Sequence, residues 1–132
     1  MKRSYKCFII EDEPLAGKRI REMIQSRSNL SVSGYVDDIE DLYLFSDQLS
    51  ACDILFLDLI VRGGSIDLLE NYIVCLPYIV IISALPPHNY PSFLLNRKCF
   101  ALRKPITIND FNQCIDDICA HALKNPGDFN NE

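Results

Sequence analysis

The sequence has no tryptophan, only two histidines and only five glycines among 132 residues. Its six cysteines (Cys7, Cys52, Cys75, Cys99, Cys114 and Cys119) include no C-x-x-C pair, so a zinc framework has no support. No secretory signal is visible either, because the apolar run Cys7–Ile10 after Lys2 and Arg3 stops at Glu11. Without an oxidising context the cysteines read as reduced thiols, small hydrophobes in a cytoplasmic protein. Basic residues are in deficit: 13 Lys and Arg face 18 Asp and Glu, for a net charge of −5. That balance argues against direct binding of nucleic acid. Charge of either sign is missing from Asn71 to Asn96, but Pro77 breaks the apolar heart Tyr72–Leu85. It falls short of the ~20 residues of a membrane helix. The segment reads as buried core, with no membrane contact.

What is present is an ordinary globular composition, 48% apolar and 23% charged, which excludes disorder. The length suits one domain, expected over residues 1–124. The remaining 125–132 (NPGDFNNE) read as a frayed polar tail or a severed linker. Short apolar runs alternate with helical patterns. Cys7–Ile10 is a strand followed by acids and by Pro14, which suits a first helical position. Ala16, Ile20, Met23 and Ile24 then recur at helical spacing. Leu30–Val36 alternates as an edge or half-exposed strand does. Asp38 is placed to cap a second helix carrying Ile39, Leu42, Phe45 and Leu49.

Ile54–Leu57 and Ile79–Ile82 are fully apolar strands, with a short third helix over Ile66–Ile73 between them. Prolines 86, 87 and 91 restrict a fourth helix to a short piece starting near Pro91. Phe100–Arg103 is a last brief strand. The final helix opens on the capping pair Thr107 and Asp110 and lines Ile108, Phe111, Ile115, Ile118 and Ala122 along one face. Five strands alternating with five helices make a (βα)5 chain. Continuous apolar strands need cover on both faces, hence a parallel sheet in a three-layer sandwich. Order 2-1-3-4-5 puts the least apolar strand at an edge, which is the flavodoxin-like α/β arrangement.

In such sheets chemistry gathers beyond the carboxyl ends of the strands. Those ends carry Glu11 and Asp12, then Asp58, Ser83 and Lys104. Strands lie ~4.8 Å apart, so Lys104 is expected about 10 Å from Asp58, a gap its side chain and a bound anion can share. Three carboxylates so close call for a hard divalent cation, and Mg²⁺ takes such ligands. The set then suits a phosphoryl group, with Asp58 as in-line nucleophile. Singly, each residue has a plainer use: Asp12 could cap the first helix, and Asp58 could form a turn. Ser83 could be a satisfied strand end, and Lys104-Pro105 a loop. Their joint order is what carries the chemical reading. His88 and His121 have no carboxylate or cysteine pattern around them, and no catalytic role is read for either.

On these residues the chain resembles the receiver domain of two-component response regulators, from Tyr5 to about Ala122. The stretches that carry it are Ile9–Ala16 (IIEDEPLA), Phe56–Leu59, Ile82–Ala84 and Lys104–Ile106. IIEDEPLA is most similar to regulators with a LytTR-type DNA-binding domain. The resemblance implies that Asp58 is the phosphoacceptor and that Glu11, Asp12, Asp58 and the Ile60 carbonyl hold Mg²⁺. It implies that Ser83 and Lys104 read the phosphate and that the Lys104–Pro105 bond is cis. A sensor histidine kinase or a small acyl phosphate is the implied donor. Self-phosphorylation and self-dephosphorylation are then the only reactions, and no other enzyme activity is expected. A DNA-binding domain, if the native protein has one, follows Glu132; a homodimer through the last helix and strand is common in the family.

Departures from the family pattern lie in the loop after Asp58 and on the output side. Arg62 stands where the family has proline, and Ala101 where it keeps a switching Tyr or Phe. Phe100 is one position off and points to the opposite face. A degenerate receiver working as a constitutive interaction module is therefore the second reading. A haloacid-dehalogenase phosphatase needs an Asp at position 60, where this chain has Ile60, and a flavin-binding loop would not carry Glu11-Asp12-Glu13. Ile60 and Leu85 occupy the positions that in the family influence water attack on the phosphoaspartate. Both are aliphatic and cannot orient a water. Slow loss of label from isolated phosphoprotein is expected; rapid loss would contradict this assignment.

Overall fold

A computed structural model of the chain describes residues 4–59, 63, 66–83 and 90–129. Its strands are β1 (Tyr5–Ile10), β2 (Leu30–Val36), β3 (Ile54–Asp58), β4 (Tyr78–Ser83) and β5 (Phe100–Arg103). They form one sheet in the order β2-β1-β3-β4-β5, every neighbour parallel. This is the flavodoxin-like order that the apolar patterning requires. The helices are α1 (Pro14–Gln25), α2 (Ser46–Ala51), α3 (Glu70–Ile73), α4 (Ser92–Leu95) and α5 (Ile108–Lys124).

Side chains alternate along each strand and split the core into two layers. Cys7, Ile9, Phe56, Val80 and Ile82 pack under α1 and α5, where Phe56 and Phe111 stack at 5.9 Å. Phe8, Ile10, Leu55, Leu57, Ile79 and Ile81 pack under the elements of the opposite face, α2 to α4. Burial on both faces explains why β3 and β4 are apolar throughout until Asp58 and Ser83. It also keeps the buried cysteines inert. Burial, with nearby acids, pushes the Cys52 and Cys114 thiols up to about 12, and all six cysteines are free.

Three local differences from the sequence reading have physical causes. Asp38 does cap, accepting from the Glu40 N–H at 2.9 Å, but Ile39–Phe45 is a 3-10 helix and α2 starts only at Ser46. Its apolar residues Ile39, Leu42 and Phe45 recur every third position, which a 3-10 helix aligns on one ridge and an α-helix does not. Ile108, expected on the buried face of α5, is 43% exposed, and Cys114 takes a buried place instead. Thr107 caps α5, its hydroxyl accepting from the Asp110 N–H at 3.1 Å. Finally, Pro126–Phe129 makes a 3-10 turn rather than fraying, and Tyr78 donates its hydroxyl proton to Asp128 at 2.6 Å. Burial and then the Asp128 carboxylate raise the Tyr78 phenol well above its usual value, so the proton stays on the donor. His121 gains partners that its sequence neighbours do not supply, with Nδ1 3.2 Å from the Tyr78 hydroxyl and 3.6 Å from Asp128. His88 and Leu85 lie outside the described residues, as do Ile60 and Arg62.

One glycine decides how closely α1 approaches the sheet. A Cβ on Gly17 would stand 2.6 Å from the Tyr35 hydroxyl and 2.9 Å from its ring. Into that space Tyr35 sends its hydroxyl to donate to the Glu11 carbonyl at 3.0 Å, while Arg21 covers the ring at 4.4 Å. A helical Gly→Ala ordinarily stabilises by about 1 kcal/mol. Overpacking here costs about 1–3 kcal/mol and wins. Gly17→Ala should therefore lower the urea midpoint of the wild-type chain, yet raise it in a Tyr35→Ala background where the clash is gone. The same sign in both backgrounds would refute the packing argument.

Candidate functional site

Parallel register brings three strand ends together. Ile10 pairs with Leu57, and Asp58 with Ile82, so Glu11 and Asp12 leave β1 beside the last residue of β3. Glu11, Asp12 and Asp58 each offer a carboxylate oxygen within 4.8 Å of the others. Glu11 is fully buried and Asp58 nearly so, at 4% exposed. Such burial of charge is costly unless a cation answers it.

Lys104 supplies that cation across the whole gap. Its Nζ lies 3.0 Å from Glu11 Oε1, 2.6 Å from Glu13 Oε1 and 3.4 Å from Asp58 Oδ2. The ~10 Å separation expected from strand spacing describes the backbones; the extended side chain closes it without a shared anion. Burial works to lower the Lys104 pKa, but hydrogen bonds to Glu13 and Glu11 and the charge of Asp58 outweigh it. They hold the ammonium well above its ordinary value. The turn that carries Lys104 contains the cis Lys104–Pro105 bond implied by the family resemblance. It is tied to α1 by Arg19, whose Nε donates to the Ile106 carbonyl at 2.9 Å.

Ser83 ends β4, paired with Arg103 of β5 and one residue past the partner of Asp58, and it is buried. The Ile60 carbonyl, the fourth expected metal ligand, lies outside the described residues. The donors present suit a hard divalent cation: all are carboxylate oxygens, and the buried Glu11 Oε1 accepts no hydrogen bond although an ammonium stands beside it. Sequence reasoning missed Glu13, Tyr35 and Arg19. Glu13 adjoins the acid pair and was within reach of suspicion, whereas no local pattern marks Tyr35 or Arg19.

Away from this cluster a cleft of about 570 Å³ opens at the other end of β4, lined by Cys75, Tyr78, Arg97 and His121 among others. The Arg97 guanidinium there is committed to the Ile73, Leu76 and Pro77 carbonyls at 2.8–3.0 Å. The strand-end cluster is the chemically equipped site.

Solved structures similar to this chain include receiver domains. The response regulatory domain of mrkE from Klebsiella pneumoniae is 26% identical, with TM-score 0.72 over 90% of this chain and 98% of that one. A CheY-like receiver domain from Methylobacillus flagellatus is 21% identical, with TM-score 0.68 over 87% and 98%. This chain has the receiver fold. RcsB from Salmonella enterica serovar Typhimurium, solved on a promoter with a phosphomimetic, shares that fold at 16% identity and TM-score 0.71, covering 89% of this chain and 61% of RcsB. No family model and no curated protein matches the sequence. The receiver fold here contains, among the described residues, no helix long and apolar enough to cross a membrane.

Because Lys104 holds its proton more tightly folded than unfolded, the sign of its pH linkage follows. Its contribution to stability is fully present below the ordinary lysine value of 10.5 and is lost as pH rises beyond it. Lys104→Met should lower the urea midpoint at neutral pH by stranding the buried Glu11 and Asp58 carboxylates. The gap to wild type should hold up to pH 10.5 and close above it; a gap that widens there would contradict the assignment.

Proposed function

We propose that this chain is the phosphoacceptor receiver domain of a two-component response regulator, phosphorylated on Asp58 in a Mg²⁺-dependent reaction. The observation that supports it most is the reach of Lys104 to Asp58, beside the Glu11 and Asp12 carboxylates. Glu11, Asp12 and Asp58 would hold the metal, with the Ile60 carbonyl. Bound there, Mg²⁺ would supply positive charge against the phosphoryl oxygens.

A carboxylate oxygen of Asp58 attacks phosphorus, and the bond from phosphorus to the donor breaks. The donor departs with the electron pair, as the imidazole of a kinase histidine or as the carboxylate of an acyl phosphate. The Lys104 ammonium and the Ser83 hydroxyl take the phosphoryl oxygens. Phosphorylation would bias an equilibrium between two conformations that differ in their protein contacts. The module signals; it turns over no other substrate. A role in transcription through a DNA-binding domain joined to the receiver is in keeping with the promoter-bound RcsB neighbour.

The constitutive-module reading also has an observation behind it. Ala101 is exposed on β5, and Phe100 is committed elsewhere, packed on Tyr78 at 6.1 Å and on His121 at 6.3 Å. An intact acceptor site favours phosphorylation over that reading. Intact-protein mass after incubation with Mg²⁺ and acetyl phosphate decides between them. One phosphoryl gain is expected, lost without Mg²⁺ and in Asp58→Asn; no gain from folded protein would favour the constitutive module.

A further inference from the structure

We infer that Glu13 sets how readily this site accepts an anion, by competing for the Lys104 ammonium. The inference rests on the reading of Asp58 as phosphoacceptor. Lys104 has three carboxylate partners, and they are not equivalent. Glu13 makes the shortest contact, 2.6 Å, yet its side chain is 64% exposed against 0% for Glu11 and 5% for Asp58. Glu11 and Asp58 have little water to fall back on if the ammonium leaves. Glu13 exchanges it for water at small cost. When phosphoryl oxygens need the ammonium, the Glu13 contact is the one that gives way.

The backbone around Glu13 supports a side-chain gate. Its N–H donates to Glu11 Oε2 at 3.1 Å, and its carbonyl accepts from the Gly17 N–H at 2.9 Å. The main chain is therefore tied on both sides, and the side chain alone is left to swing. Glu13 also sits at the N-cap of α1 but makes no side-chain cap. A helix start usually takes a short polar residue that satisfies its free N–H groups. Here the carboxylate serves Lys104 instead. In the resting protein it holds the ammonium and adds negative charge where an anionic donor must arrive. Both effects act in one direction, against phosphorylation.

Two variants separate contact from charge: Glu13→Gln removes the charge, and Glu13→Asp keeps it but draws the carboxylate back by one methylene. The measurement is the acetyl phosphate concentration giving half-maximal labelling of Asp58 at saturating Mg²⁺, read by intact mass. Beside it, the Lys104 ε-carbon and ammonium signals are followed by NMR in the metal-free protein. Both variants should lower the half-saturating concentration about two- to fivefold, the range of an exposed ion pair, and both should shift the Lys104 signals. Half-saturation that is unchanged or raised in both, or lowered only by Glu13→Gln, would overturn competition for Lys104. So would unshifted Lys104 signals. A wild-type protein that takes no label overturns the phosphoacceptor reading, and this inference with it; labelled wild type with unresponsive variants overturns this inference alone.

Discussion

The structure depends on one electrostatic arrangement, an ammonium set among carboxylates at the carboxyl edge of a parallel sheet. Glu11 is buried without access to solvent, and Asp58 almost so. Burying such charges is costly, and the Lys104 side chain, reaching over from the end of β5, offsets that cost. The rest of the fold serves that meeting. Parallel pairing aligns the ends of β1 and β3, and Arg19 ties the turn after Lys104 to α1. Tyr35, admitted by Gly17, holds the Glu11 carbonyl from the edge strand β2. Elements far apart in sequence are thus bound to the same few atoms.

This economy also separates the site from its output. Asp58 ends β3, and Glu11, Asp12 and Lys104 follow directly on β1 and β5, with α1 on one side. The elements a receiver would use to pass the signal on are reduced: α4 spans only Ser92–Leu95, and Ala101 leaves β5 without an outward aromatic. Phe100 instead joins Tyr78, His121 and Asp128 in a cluster that folds the end of α5 back toward the start of β4. That cluster stabilises the end of the domain opposite the acids.

Much of the fold was legible because its causes are local or nearly so. Strand period, apolar runs and proline positions mark the elements, and buried two-faced strands require a parallel sheet under helices. The candidate site was legible for the same reason: strand ends are visible as apolar runs that stop at Glu11, Asp58 and Ser83. Helix type is less local: the spacing of three along Ile39, Leu42 and Phe45 fits an α-helical face by pattern, yet the chain forms a 3-10 helix there. The placement of Ile108 also depends on where the sheet stops, which the pattern of α5 cannot report.

By itself, then, the sequence determined the alternation of elements, the layers and which residue types end each strand. Those features follow from hydrophobic periodicity and chain stiffness, which act over a few residues. Only the tertiary structure decided that one ammonium would answer Glu11, Glu13 and Asp58 together. Lys104 and Glu11 are 93 positions apart, and although β3 and β4 lie between their strands, the Lys104 side chain reaches along the carboxyl edge of the sheet to make the pairing. The roles of Tyr35, Gly17 and Arg19 belong to the same class. Each is a contact between elements, where geometry at the scale of an ångström selects the partner and no spacing along the chain announces it.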